Sequence, residues 1–101
     1  MAQFDVYENK NIKTRDEIPF LLDIQHNILE DSSTRVMIPL GFQTQINNTI
    51  NPSFLINETK VTLMTTFMAT MAVKQLGQKV YSLKDNRDEI ISSIDFLITG
   101  F

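Results

Sequence analysis

His26 is the only histidine in this chain of 101 residues, and so it is the only ready general base at neutral pH. It follows Asp23 by three residues, and an Asp–His couple beside a cation such as Arg35 could cleave RNA. No second histidine and no Ser-His-Asp spacing accompany it. A solvated histidine in a loop or at a strand end is therefore the favoured interpretation.

Arg35 could bind an anionic substrate, but a pair with Glu30 or Asp31 in a turn is the favoured interpretation. Adjacent acidic residues could be hydrolytic carboxylates or cation ligands, although they more often mark exposed loops and helix starts. The chain has no Asp-x-Asp-x-Asp-Gly loop, and three glycines make no glycine-rich phosphate cradle. These residues therefore give only weak support to an enzymatic activity, and we expect no cofactor and no metal site. The acidic pairs are Asp16–Glu17, Glu30–Asp31 and Asp88–Glu89.

Composition narrows the class of protein further. The absence of cysteine excludes a disulfide scaffold and a thiolate metal site. A net charge of −3 argues against strong phosphate binding, and 43% hydrophobic with 21% charged residues is typical of a globular protein. The N-terminus has no signal-peptide pattern, and no apolar run approaches the roughly 18 residues of a membrane span. We expect one cytoplasmic domain over residues 1–101 that does not enter a membrane.

Short runs rich in β-forming residues fill most of the chain and must position any functional residue. Pro39 closes the third run, and residues 57–60 between the fourth and fifth runs carry a hairpin signal. Such a series predicts a small barrel or a strongly bent antiparallel sheet. The predicted strands are 4–8, 20–24, 36–38, 54–56, 61–65, 71–73 and 79–81.

The C-terminal segment changes to a helical period. Ser82 begins a possible capping box with Asp85, and Gly100 is a natural helix stop. The predicted fold is therefore mainly β with a C-terminal α-helix. The apolar residues on one face of this helix are Ile90, Ile94, Leu97 and Ile98.

Two apolar features leave alternatives open. Met64, Met68 and Met71 lie within eight residues and could fill the core or line an interface that repacks. Phe101 follows directly after the predicted helix stop. It could fold back on the last turn or stay exposed as an anchor for another protein, and the residues alone favour the fold-back.

Several motifs spread over the whole chain resemble one known family. They are Gln3-Phe4-x-Val6-Tyr7, Asp23-Ile24-Gln25 with Ile28-Leu29, Arg35-Val36-Met37-Ile38-Pro39-Leu40, Met64-Thr65-Thr66-x-Met68-Ala69, and Ile90, Ile94 and Gly100. Together, in this order and at this length, they resemble CcdB, the toxin family of a plasmid-addiction system. The resemblance implies a small, bent antiparallel β-barrel of the CcdB, MazF and Kid toxin type.

What this resemblance implies about function is specific. Such toxins are homodimers without catalytic activity that bind the A subunit of DNA gyrase and trap it with its DNA cleaved. A CcdA-like antitoxin neutralises the toxin, and the complex of the two represses its own operon. DNA is therefore contacted only indirectly, through the antitoxin or gyrase.

The resemblance also assigns residues. It places gyrase binding on Asp95, Ile98, Thr99, Gly100 and Phe101, with Ile28 and Leu29 as further candidates. It favours the dimer interface for Met64, Met68 and Met71, and exposure for Phe101. The best-known member ends in Trp-Gly-Ile where this chain has Thr99, Gly100 and Phe101.

Two alternatives accompany this hypothesis. An mRNA-cleaving toxin of the MazF or Kid type would use His26, Arg35 and Asp23 as its reacting groups. A degenerate homologue would fold and bind its antitoxin without harming the cell, and the missing Trp motivates that possibility.

Overall fold

The computed structural model of the protein describes residues 1–27, 32–43 and 47–100. In these ranges an antiparallel sheet is followed by one C-terminal helix, so the predicted fold class is confirmed. The strands are β1 (Asp5–Asn9), β2 (Phe20–Asp23), β3 (Thr34–Gly41), β4 (Ser53–Ile56), β5 (Thr59–Leu63), β6 (Ala69–Ala72) and β7 (Leu76–Ser82), and the helix is α1 (Arg87–Thr99).

The long strand β3 organises the sheet, whose order is β4-β5-β3-β2-β1-β7. One edge of β3 pairs with β2. The other edge pairs first with β6 and then, at Leu40 and Gly41, with β5. Between these two partners the Pro39 carbonyl accepts a hydrogen bond from the Met64 N–H at 2.9 Å. Proline has no N–H to donate, and it is tolerated here because the neighbouring strand is interrupted. The prediction that Pro39 ends the strand is therefore wrong.

The hairpin predicted at residues 57–60 is confirmed between β4 and β5. Asn57 and Glu58 have φ values of 48° and 75°, which is the backbone conformation of a type I′ hairpin turn. The Asn57 Nδ2 donates to the Val80 carbonyl on β7 at 3.0 Å. Since β4 and β7 lie at opposite ends of the strand order, this contact shows that the sheet curls into a half-barrel.

Side chains are buried on both faces of the central strands. Val6, Leu22 and Ile38 belong to the larger core, which α1 covers with Ile90. Their chain neighbours form a second, smaller cluster, because successive side chains point to opposite faces of a strand. That second cluster contains Tyr7, Leu21, Met37 and Leu76, with Ile18 and Met71 packed against it.

Helix α1 begins later than the sequence predicts. The Leu83 N–H donates to the Phe4 carbonyl at 2.8 Å, and Leu83 is buried, so this residue is fixed to the sheet. The Ser82 Oγ accepts the Lys84 N–H at 3.4 Å, as the predicted capping box requires of the serine, but this bond precedes a 3-10 turn over Lys84–Asn86. The α-helix itself begins at Arg87 without a side-chain cap, so Ser82 is not its N-cap. At the other end the prediction is confirmed, because Gly100 has a φ of 79° and its N–H bonds to the Phe96 carbonyl. No helix in the described ranges is long and apolar enough to span a membrane.

Candidate protein-binding site at the end of α1

The apolar face of α1 runs from the core into solvent. Ile90 is fully buried against the sheet, Ile94 is half-buried, and Ile98 is 73% exposed. The three residues recur every four positions, so they follow one side of the helix. The first turns of α1 therefore attach it to the sheet, while its last turn presents an aliphatic side chain to solvent.

The last turn brings together four of the residues that the resemblance assigns to gyrase binding. Asp95, Ile98, Thr99 and Gly100 are all exposed. The Thr99 Oγ1 donates to the Asp95 carbonyl at 2.7 Å, and Gly100 ends the helix in the left-handed conformation. Phe101, Ile28 and Leu29 lie outside the described residues.

This turn is suited to binding rather than to covalent chemistry. Its side chains are aliphatic, hydroxyl and carboxylate, and the hydroxyl is already bonded to the main chain. Complete burial of an aliphatic side chain of this size contributes about 1.5–3 kcal/mol, and Ile98 retains most of its exposed surface for a partner. Asp95 lies near the C-terminal end of α1, where the helix dipole disfavours a negative charge. Helix stability therefore does not account for a carboxylate at this position.

The alternative catalytic residues are arranged differently. Arg35 lies inside β3 rather than in a turn, which corrects the prediction from the sequence. Its Nη2 lies 2.8 Å from the Asp23 Oδ2, and both side chains are 0% exposed. His26 is exposed on the segment that follows β2, whereas Glu30 and Asp31 lie outside the described residues. A substrate in solution cannot reach the carboxylate or the guanidinium of this pair.

Comparison with protein families matches the chain to the family described as CcdB protein, over residues 3–100. The chain belongs to the CcdB family. The resemblance inferred from the motifs is thereby confirmed, and the match includes the four described residues of the exposed last turn. Members of the CcdB family are toxins of toxin–antitoxin pairs that poison gyrase rather than catalyse a reaction.

Buried ionisable groups in this CcdB-family chain cluster on the sheet face that carries Tyr7. Burial raises the pKa of the Tyr7 hydroxyl to about 12, and the nearby Asp5 and Asp23 carboxylates add to that shift. Burial also raises the pKa of Asp23, although the Gln25 N–H and the Arg35 guanidinium partly offset it. The Asp5 carboxylate accepts a hydrogen bond from the Ala2 N–H at 3.0 Å and lies 3.2 Å from the Lys79 Nζ. These groups lie on the sheet and are not part of the exposed turn.

The three predicted interface methionines do not form one exposed patch. Met64 is buried, Met68 packs against the larger core, and Met71 packs against the second cluster. All three therefore contribute to packing within the chain, and their role in a dimer interface stays a prediction.

An apolar groove is the surface feature that the sequence did not reveal. Phe42 and Phe67 are 56% and 55% exposed and lie on its border, 25 residues apart in the chain. The groove has a volume of about 530 Å³. Phe42 follows β3 and Phe67 ends a short 3-10 helix after β5, so no local sequence pattern connects them and the pairing of β3 with β5 brings them together. The groove is lined by Glu17, Ile18, Pro39, Phe42, Gln43, Met64 and Phe67.

Two of the three acidic pairs lie where the favoured interpretation of the sequence puts them, and the third, Glu30–Asp31, lies outside the described residues. Asp16 and Glu17 are exposed in a turn region before β2, and Asp88 and Glu89 are exposed in the first turn of α1. No cluster of three potential metal ligands occurs among the residues that the structure describes.

Proposed function

We propose that this chain is the toxin of a type II toxin–antitoxin pair, which binds the A subunit of DNA gyrase and traps the enzyme with its DNA cleaved. The observation that carries the proposal is the exposed last turn of α1 in a chain that matches the CcdB family over residues 3–100. Binding places Ile98 at the centre of the contact, with Asp95, Thr99 and Gly100 around it.

The proposed toxin acts as a homodimer in the cytoplasm. Two copies related by a two-fold axis present two identical helix ends, which suits a target that is itself two-fold symmetric. A CcdA-like antitoxin neutralises the toxin, and the complex represses its operon. The toxin contacts DNA only through the antitoxin or gyrase, in keeping with its net charge of −3. No cofactor takes part.

The test is a supercoiling and DNA-cleavage assay with purified gyrase, in which Ile98→Ala is compared with Leu55→Ala. Leu55 is a suitable control because it is 63% exposed, aliphatic, and close to Asn86 and Glu89 at the other end of α1. Glu89 and Ile98 are nine positions apart, which is about 14 Å along a helix.

We expect the unmodified protein to inhibit supercoiling and to accumulate cleaved DNA at micromolar concentration. Ile98→Ala should raise the inhibitory concentration about tenfold, since loss of about 1.4 kcal/mol corresponds to that factor, and Leu55→Ala should leave it unchanged. Inhibition that responds equally to both substitutions would argue against the helix end as the contact. Absence of both inhibition and cleavage would refute the proposal, and normal growth of cells expressing the protein alone would then indicate a degenerate homologue.

RNA cleavage by His26, Arg35 and Asp23 has no geometric support, because the Asp23 and Arg35 side chains are 0% exposed. Incubation with labelled RNA separates this alternative from gyrase poisoning. Cleavage that disappears in His26→Ala would reinstate it.

A further inference from the structure

The apolar groove bordered by Phe42 and Phe67 has no role in the surface proposed for gyrase. None of its seven described lining residues belongs to the last turn of α1. Phe42 and Phe67 each keep more than half of their surface exposed. Exposed apolar surface gathered around one cavity of a small protein is a common mark of a binding site.

Main-chain hydrogen bonds hold the segments that form the groove together. The Phe42 N–H donates to the Glu17 carbonyl at 3.0 Å, and the Met64 N–H donates to the Pro39 carbonyl at 2.9 Å. Gly41 allows this close approach, because a Cβ there would lie 2.7 Å from the Met64 Sδ and 2.9 Å from the Glu17 carbonyl oxygen. The groove is therefore formed before a ligand arrives, which lowers the entropic cost of binding.

The size and the lining of the groove match those of small-molecule sites. Its volume of about 530 Å³ lies within the range of about 300–1,000 Å³ that such sites have. A stable protein interface needs about 20–30 residues on each side, whereas seven described residues line this cavity. Met64 has a flexible, polarizable thioether that adapts to the shape of an apolar ligand. The apolar lining residues are Ile18, Pro39, Phe42, Met64 and Phe67.

The charge of the groove favours a cation. Glu17 is the only residue with a formal charge among the described lining residues. It is exposed, and no lysine or arginine of the described ranges pairs with its carboxylate. The faces of phenyl rings such as Phe42 and Phe67 also attract cations, because their quadrupole is negative there. The Gln43 amide adds a hydrogen-bond acceptor, and the net charge of −3 attracts cations to the chain as a whole.

We infer that this groove binds an amphipathic cation, a small molecule with an aromatic or aliphatic body and one ammonium or guanidinium group. The apolar body packs between Phe42 and Phe67, and the cationic group pairs with the Glu17 carboxylate. The inference is independent of gyrase poisoning, since the groove and the last turn of α1 share no described residue.

The test compares three indole probes that differ in charge, which are tryptamine (a cation at neutral pH), the neutral tryptophol and the anion indoleacetate. The chain contains no tryptophan, so indole fluorescence reports the probe alone when the full-length protein is titrated into it. The anisotropy of tryptamine should rise with a Kd on the order of 1 mM or tighter, as expected for about twelve heavy atoms. Tryptophol should bind about fivefold more weakly, and indoleacetate more weakly still. Equal binding of tryptamine and tryptophol would overturn the inference, as would a titration of tryptamine that shows no binding.

Matched variants locate the bound probe. Glu17→Gln should weaken tryptamine about fivefold, as loss of an exposed ion pair allows, and Asp16→Asn should weaken it less than twofold. Asp16 is the matched control because it is exposed, carries the same charge and does not line the groove. Phe67→Ala should weaken tryptamine about tenfold through loss of the aromatic contact, whereas Leu55→Ala, at another exposed apolar residue, should leave its Kd within twofold. Equal effects of Glu17→Gln and Asp16→Asn would overturn the assignment, since only the overall charge would then matter.

A second copy of the chain is the other occupant that the test separates. Sedimentation of the unmodified protein and of Phe67→Ala measures whether the groove lies between two copies. Weaker self-association of Phe67→Ala, together with absent binding of tryptamine, would show that a second copy covers the groove and would overturn the inference. Circular dichroism confirms that each variant is folded, which is expected because Glu17 and Phe67 are exposed.

Discussion

Removal of the Arg35 guanidinium alone should destabilise the protein far more than removal of both charges of the pair. Arg35→Met leaves the Asp23 carboxylate at 0% exposure with the Gln25 N–H as its donor among the described residues. Removing one partner of a buried pair costs about 3–5 kcal/mol, because the remaining charge is desolvated without compensation. The expected loss for Arg35→Met is therefore about 3–5 kcal/mol of the free energy of unfolding.

The variant Asp23→Leu with Arg35→Met should lose much less. Apolar replacement of a buried pair is neutral or stabilising by about 1–4 kcal/mol. The hydrogen bond from the Arg35 guanidinium to the part-buried Gln25 carbonyl is lost at the same time, and such a bond from a charged group contributes about 1.5–3 kcal/mol. These two effects oppose each other, so the double variant should lie within about 2 kcal/mol of the unmodified protein.

The dependence of the stability loss on pH shows whether the loss in Arg35→Met comes from an unpaired buried charge or from a lost packing contact. Burial raises the pKa of Asp23, and removal of the guanidinium takes away an interaction that lowers it. A carboxyl whose pKa is higher in the folded than in the unfolded state binds its proton more tightly when folded. The free-energy cost of burying the Asp23 charge is therefore absent below about pH 3.9, the pKa of the carboxyl in the unfolded state. This cost appears as the pH rises through the higher pKa of the folded state. The loss in Arg35→Met should thus be small at acid pH and reach its full value at neutral pH.

Urea unfolding followed by circular dichroism at one protein concentration measures these free energies at pH 4 and pH 7. Equal losses of free energy in Arg35→Met and the double variant at pH 7 would contradict a cost from the unpaired Asp23 charge. A loss in Arg35→Met that did not shrink at acid pH would contradict it as well, since the damage would then come from packing.

Two further predictions concern other parts of the chain. In Tyr81→Phe, which leaves Tyr7 as the only tyrosine, absorbance at 295 nm should give a pKa of about 12 for Tyr7. Because this pKa is raised in the folded state, about 2–3 kcal/mol of stability should be lost as the pH rises from 10 through 12. Ionisation of Tyr7 at pH 10 in the folded protein would contradict the effect of burial. Ile90→Ala, which truncates a fully buried side chain, should cost about 2–5 kcal/mol in urea unfolding, whereas Ile98→Ala on the same helix should stay within about 0.5 kcal/mol. Equal losses would mean that the last turn is also buried, through contact with another copy of the chain.

The fold was predictable from sequence where the signal is local. The apolar spacing from Ile90 to Ile98 and the stop at Gly100 define the helix and its exposed end, and the site follows because its described residues, 95–100, are adjacent in the chain. Arg35 was misplaced because the polar run before it is typical of a turn, and nothing local reveals that β3 already includes it. Pairing of one strand with both β5 and β6 depends on contacts between distant residues, and so does the Phe42–Phe67 groove.

The exposed last turn supplies too little binding energy to act alone, which is a physical reason for the proposed dimer. Micromolar affinity requires about 8 kcal/mol, and burial of one aliphatic side chain such as Ile98 contributes about 1.5–3 kcal/mol. Two helix ends bound by one target come closer to that requirement, because the second contact is made at high effective concentration.

Heterodimers of unmodified and Ile98→Ala chains, separated by two affinity tags, test this argument. If the two helix ends act together, a heterodimer should inhibit gyrase at a concentration close to that of the Ile98→Ala homodimer. Loss of one helix-end contact removes the gain in affinity that comes from binding both ends to the same target. A matched Leu55→Ala heterodimer controls for the tags. Inhibition by the Ile98→Ala heterodimer at only twice the concentration of the unmodified dimer would show that each helix end acts independently.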